Sequence, residues 1–152
     1  VKESDALPAA LRLLTMREHS EAELAERLRK KDFSPSSIEA ALQRCRDLGY
    51  VDDARFALER ARSLMRSGRA VGRRIWADLR ARGVNEAAAL AAIEEAEREC
   101  SEEELLADLR RLRFPDFSYA SADDRQRRRV VNFFLRRGFP LSLVLSFLKE
   151  ER

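Results

Sequence analysis

Five apolar positions recur three times along this chain at nearly constant spacing. Leu24, Leu28, Phe33, Ile38 and Leu42 align without a gap on Ile75, Leu79, Val84, Ala89 and Ile93, and then on Val130, Phe134, Phe139, Val144 and Leu148. The shifts are 51 residues from Leu24 to Ile75 and 55 from Ile75 to Val130. A column repeated in this way is the signature of a stacked helical array, in which each unit hides part of its apolar surface against the next. Generic amphipathic helices mimic two such sets more easily than three.

Local signals divide each unit into helices. Asp5 and Pro8 suit the entry to a first helix carrying Leu7, Ala10, Leu11 and Leu14. Ser20 and Glu23 form a capping box for a second helix, and Ser34 with Pro35 opens a third that is stopped at Gly49. The second unit repeats the plan, with a helix from Asp52 to about Ser67, one through Ile75 to Arg82 and Gly83, and an alanine-rich one capped by Asn85. Alanine packs closely but buries little area per residue, so the core there is expected to be thinner. In the third unit Ser101 and Glu104 read as a capping box, FPDFSYAS is the longest connection, Ser121 and Asp124 start a helix ending at Gly138, and Pro140 opens the last. The expectation is all-α: three tandem three-helix repeats, residues 1–49, 50–100 and 101–152, stacked into an elongated, curved array. Composition agrees, since 38% charged and 45% hydrophobic residues with only five Gly and four Pro describe helices and short turns.

The stretch LGYVDDARFA, residues 48–57, joins the first two units. Gly49 can take the left-handed conformation that ends a helix, and Asp52 can cap the next by accepting its orphan N–H groups. Ala54, Ala57, Leu58, Ala61, Leu64 and Met65 follow at helical spacing, while Phe56 falls on the opposite side. Phe56, with Tyr50 and Val51, is therefore expected to face the neighbouring unit, making Gly49, Tyr50, Asp52 and Phe56 a structural joint.

Charge is sorted along the chain. Between Glu59 and Asp78 there is no acidic residue, yet Arg60, Arg62, Arg66, Arg69, Arg73 and Arg74 lie there. Glu94, Glu95, Glu97, Glu99, Glu102, Glu103 and Glu104 crowd the following stretch. The repeat alignment adds a basic column, Lys31, Arg82 and Arg137, just before each turn. Two readings stand side by side: favourable cations in the last helical turn, where the dipole is negative, or a spaced row available to a partner. Arg125, Arg127, Arg128 and Arg129 form another basic group. A net charge of +3, a pI near 9.2 and a heavy excess of Arg over Lys make a phosphate-bearing or acidic-protein partner worth testing.

Enzyme readings fare badly. His19 is the only histidine, with no sequence link to Cys45 or Cys100, and neither cysteine has metal-ligand spacing. Asp52 and Asp53 are adjacent and do not share a helix face. No nucleotide-binding glycine motif is present, so no cofactor is expected. No apolar run reaches membrane-spanning length and the start lacks a signal peptide's apolar core, so a cytoplasmic protein with reduced cysteines is expected. A helix-turn-helix outline recurs in each unit. A major-groove reader, however, needs Arg, Asn or Gln at the start of its second helix, and SPSSIEAA, NEAAALAA and PLSLVLSF offer almost none. A stand-alone helical DNA-binding module and a pure protein scaffold remain as alternatives.

LGYVDDARFA, with ALRLLTMREHSEAELAERL before it and GRRIWADLRARGV after it, resembles the RecX family of recombinase regulators, and DRQRRRVVNFFLRRGF is similar to that family's C-terminal signature. The resemblance covers nearly the whole chain. It implies a non-enzymatic, monomeric regulator that lies in the groove of the RecA filament on single-stranded DNA and limits filament growth, strand exchange, ATP hydrolysis and repressor co-cleavage. On that implication, Arg62, Arg66, Arg73 and Arg74, with Lys31, Arg82 and Arg137, are the candidate contacts to the filament or its DNA phosphates.

Overall fold

The computed structural model describes residues 1–150. Within them the chain forms helices α1 (Leu7–Met16), α2 (Glu21–Lys30), α3 (Pro35–Asp47), α4 (Asp53–Arg66), α5 (Gly72–Ala81), α6 (Glu86–Glu99), α7 (Glu102–Arg113), α8 (Asp124–Arg136) and α9 (Leu141–Glu150). Three-helix repeats stack into an elongated, curved array. The exposed surface fits that shape: a compact chain of this mass would expose roughly 7,900 Å², whereas this one exposes 9434 Å².

Caps fix where the helices start. Ser20 accepts from the Glu23 N–H while the Glu23 side chain accepts from the Ser20 N–H, so two orphan donors are satisfied reciprocally. Ser34, Asp52, Asn85 and Ser101 each accept from an N–H in the following turn. The start of α8 differs from expectation. Asp123, not Ser121, is its cap, in a reciprocal box with Gln126.

The apolar column forms the cores. All of its members are buried except Phe33, which is half-buried because no earlier repeat covers it. Instead the backbone of Lys2 pairs there, its N–H donating to the Asp32 carbonyl and its own carbonyl accepting from the Ser34 N–H. Asp32 holds φ +68° at the position that Gly83 and Gly138 fill in the later repeats. Thinness in the alanine-rich helix is answered by proximity: Ala89, Ala92 and Ala96 of α6 are buried against α4.

Burial divides unevenly. One apolar cluster is confined to α1–α3 and Val51. A second runs unbroken from Phe56 through α7 to Leu148, joining the remaining six helices.

Candidate functional site

The basic column sits at the junctions between repeats. Arg82 ends α5, and its carbonyl accepts from the hydroxyl of Ser20, the cap of α2, at 2.6 Å. Its guanidinium reaches Glu23 at 2.8 Å and Asp78 at 3.0 Å, and Arg60 forms a two-pronged pair with the same Asp78. Burial pushes Glu23 and Asp78 up, but the hydrogen bonds from Arg17 and Arg60 and the charge of Arg82 outweigh it, so both carboxyls are held below their usual range. Arg137 repeats the backbone part of this arrangement. Its carbonyl accepts from the N–H of Val71, the cap of α5, at 2.8 Å. Its side chain donates to the carbonyls of Gly68 and Phe133 and lies 3.6 Å from the centroid of the Phe133 ring. Lys31, in the first repeat, is exposed and joins nothing across a junction.

Around residues 48–57, Asp52 accepts from the Arg55 N–H and caps α4, and Gly49 takes φ +75°. Val51 packs into the first core and Phe56 into the second, so the two apolar clusters part within a few residues, while Tyr50 stays 47% exposed. Asp53 accepts from the Glu21 N–H at 2.9 Å and Arg55 reaches Glu18 at 2.9 Å. Phe56 also lines an open cleft with Arg17, Glu18, Glu59, Arg60 and Arg82. His19 is buried beside this junction, and that burial lowers its pKa. Cys45 and Cys100 are free, with thiols raised by burial.

On α4, Arg62 is occupied. Its Nε donates to both oxygens of Glu99 at 3.0 and 2.9 Å and its Nη1 to Glu59 at 2.9 Å. Arg66, one turn on, is exposed; it donates to the Arg62 carbonyl at 3.4 Å, and its charge helps to hold the Glu99 carboxyl low. On α5, Arg73 and Arg74 are exposed and form no ion pair. Together with Arg136, at the end of α8, they line an open cleft of about 980 Å³ whose remaining surface includes Gly72, Ala77, Glu102, Leu135 and Leu141. Arg136 stands beside Arg137 in the sequence, and only the fold shows that these neighbours separate, one into a junction and one into a cleft. In the other basic group, Arg127 donates to the carbonyls of Tyr119 and Ala120 and so holds the FPDFSYAS connection. Arg125, Arg128 and Arg129 are exposed.

The candidates thus fall into two sets. Arg62, Arg82 and Arg137 hold parts of the fold together, whereas Arg73, Arg74 and Lys31 are exposed without an ion pair and Arg66 acts on Glu99 only through its charge. Among the described residues no group of three or more His, Cys, Asp or Glu side chains is placed to hold a metal ion, and no helix is long and apolar enough to cross a membrane. What the exposed arginines can do is bind anions, phosphate or carboxylate, with bidentate geometry.

Comparison with known proteins fits this architecture. A family model described as RecX, first three-helix domain, matches residues 6–45. A protein of Syntrophotalea carbinolica named Regulatory protein RecX is 51% identical over 98% of this chain and 97% of its own length. The fold is similar to a crystal structure of regulatory protein RecX, with a TM-score of 0.79 at 22% identity over 96% of this chain and 72% of that one. It is also similar to the crystal structure of RecX from Lactobacillus salivarius, with a TM-score of 0.71 at 19% identity over 95% of this chain and 93% of that one.

Proposed function

The chain belongs to the RecX family of regulatory proteins, and from that premise we propose that it binds the RecA filament on single-stranded DNA and restrains its recombinase, ATPase and co-protease activities. It acts as a monomer in the cytoplasm and carries out no chemistry of its own. The observation that carries this reading is likeness over almost the full length of a relative named as a regulator. The geometry lends support. An elongated array spans more of a helical assembly than a compact domain of equal mass, and exposed Arg73 and Arg74 carry charge that no ion pair of the same chain takes up.

Steady-state ATP turnover by RecA on single-stranded DNA tests the proposal directly. Titration of the protein is expected to lower turnover, and Arg73→Glu with Arg74→Glu to weaken that inhibition by about tenfold in the concentration required, the order expected for reversing charges at a steered contact. Absence of inhibition at a severalfold excess of protein over RecA overturns the reading. Unchanged inhibition by the double variant removes those two arginines from the contact. A stand-alone DNA-binding module would instead show tight, steeply salt-dependent binding to naked DNA, and a scaffold would bind the filament without altering turnover.

A further inference from the structure

We infer that the cleft between α5 and the α8–α9 turn is a docking site for an acidic protein segment that carries an apolar anchor residue. Three guanidiniums, those of Arg73, Arg74 and Arg136, surround the cleft, and none has an ion-pair partner in the fold. By contrast, Arg17, Arg46, Arg55, Arg60, Arg62 and Arg82, around the first junction and on α3 and α4, are paired with carboxylates. Glu102 is the one acidic residue lining it, and burial with the neighbouring Glu97 and Glu103 raises its pKa to about 6. With three guanidiniums against one carboxylate, the lining is net positive.

The remaining lining is aliphatic. Ala77, Leu135, Pro140 and Leu141 contribute apolar surface, with Leu141 half-exposed. The one aromatic residue lining the cleft, Phe139, is 3% exposed and offers no face for a base to stack on. A single-stranded nucleic acid is held by a track of cations interleaved with exposed aromatic faces. Guanidiniums around an aliphatic patch suit instead a peptide whose carboxylates pair with the rim while one Leu-like or Phe-like side chain fills the centre, the arrangement of charged rim and apolar anchor seen in protein interfaces. The Glu102 carboxylate, set against the cleft wall at Gly72, can accept an N–H from a peptide backbone.

The inference rests on the regulatory reading only for which protein supplies the segment; the chemistry of the cleft stands by itself. The test is fluorescence anisotropy on the intact chain with a labelled peptide of about a dozen residues, rich in Asp and Glu around one central Leu. A Leu→Ser version of the peptide and a single-stranded oligonucleotide of equal charge serve as competitors. Binding of the Leu peptide is expected, weakened about tenfold by Arg73→Glu with Arg136→Glu and about threefold by Leu141→Ser, with thermal unfolding unchanged. Competition by the oligonucleotide as effective as that by the Leu peptide, equal binding of the Leu→Ser peptide, or no binding overturns the assignment. If peptide binding fails while the protein still inhibits RecA turnover, the cleft assignment alone falls. If the peptide binds and turnover is untouched, the regulatory reading falls and the cleft remains.

Discussion

At the first junction the Ser20 hydroxyl donates to the carbonyl of Arg82, at the second the Val71 N–H donates to the carbonyl of Arg137, and around these equivalent bonds the two junctions are built from different materials. The first is polar. Arg82 with Glu23, Arg17 with Glu23, Arg55 with Glu18 and the Asp53 carboxylate on the Glu21 N–H cross or brace it, and the two apolar clusters stop on either side. The second is apolar. One continuous core passes through it, with Leu105, Leu106 and Leu109 of α7 in the same cluster as Met65, Val71 and Phe134. Partly buried ion pairs recover little more than the desolvation they require, whereas a shared core gains with every methylene it hides. The second and third repeats should therefore behave as one body, and the first as a body attached by a charge-dependent joint. In an array, hydrogen bonds to the same carbonyl position do not imply matching coupling between neighbours.

A methyl group placed at the same site in each junction gives the largest test. A Cβ on Gly138 would lie 2.2 Å from the carbonyl oxygen of Val71, at φ +102°, with the Arg74 backbone N only 3.1 Å away. Nothing there is free to swing aside. Gly138→Ala is expected to lose about 3 kcal/mol or more in denaturant unfolding, from overpacking and left-handed strain together. A Cβ on Gly83 would lie 2.2 Å from the Ala22 Cβ at φ +82°, so it must also displace its neighbour. What moves in that case is the whole first repeat, against contacts that are mostly polar. Gly83→Ala is expected to cost about 2 kcal/mol and to raise the radius of gyration in small-angle scattering while both cores persist. Equal losses with no change in dimensions would remove the distinction between the junctions.

Charge at the first junction supplies the next largest effect. Glu23 is held below the usual carboxylate range in the folded chain, so its contribution is present above its unfolded pKa and is lost as pH falls through the folded value. Glu23→Gln is expected to cost about 1 kcal/mol at pH 7, a discounted figure for a partly screened site, and the difference from the parent chain should fade on acidification below about pH 4. Salt should mimic the variant, raising the radius of gyration of the parent chain alone. A difference that persists unchanged at pH 3 would show that Glu23 acts through packing rather than charge.

Much of this organisation can be read from the residues, because it is local. The apolar column identified the cores, since helical period and burial are coupled over a few turns, and Ser20, Ser34, Asp52 and Asn85 announced helix starts because a cap acts within three residues. Asp123 displaced Ser121 as the cap of α8 by offering a reciprocal partner, Gln126, which Ser121 lacks at that spacing. Arg82 and Arg137 stood out by their repeat position, but their use did not: the partner Glu23 is 59 residues from Arg82, and the bond from Arg137 to Gly68 spans 69. The split between polar and apolar junctions was hidden for the same reason. Three similar columns suggested three similar units, whereas coupling depends on the residues outside the column, such as Leu105 and Leu109, that reach across. Of the candidate contacts, spacing could not separate Arg62 from Arg66. The fold does, by turning one toward Glu99.

An effect of similar size but opposite sign contrasts the carboxylates of the two junctions. At the first, Glu23 is held low by arginines; at the second, burial and then the nearby Glu97 and Glu103 lift Glu102 to about 6 from an ordinary 4.5. A carboxyl whose pKa is raised on folding adds stability below its unfolded pKa, and that contribution disappears as pH rises through the folded value. At neutral pH the ionised Glu102 therefore works against the second junction. Glu102→Gln should stabilise the chain by about 1 kcal/mol at pH 7.5, less than the full shift because the side chain is partly solvated. The gain should shrink between about pH 6.5 and pH 4.5 and be absent at pH 4. Denaturant midpoints measured across that range decide the matter: a variant less stable than the parent at every pH would mean that the carboxylate, placed against the start of α5 at Gly72, holds the second junction together as Glu23 does the first.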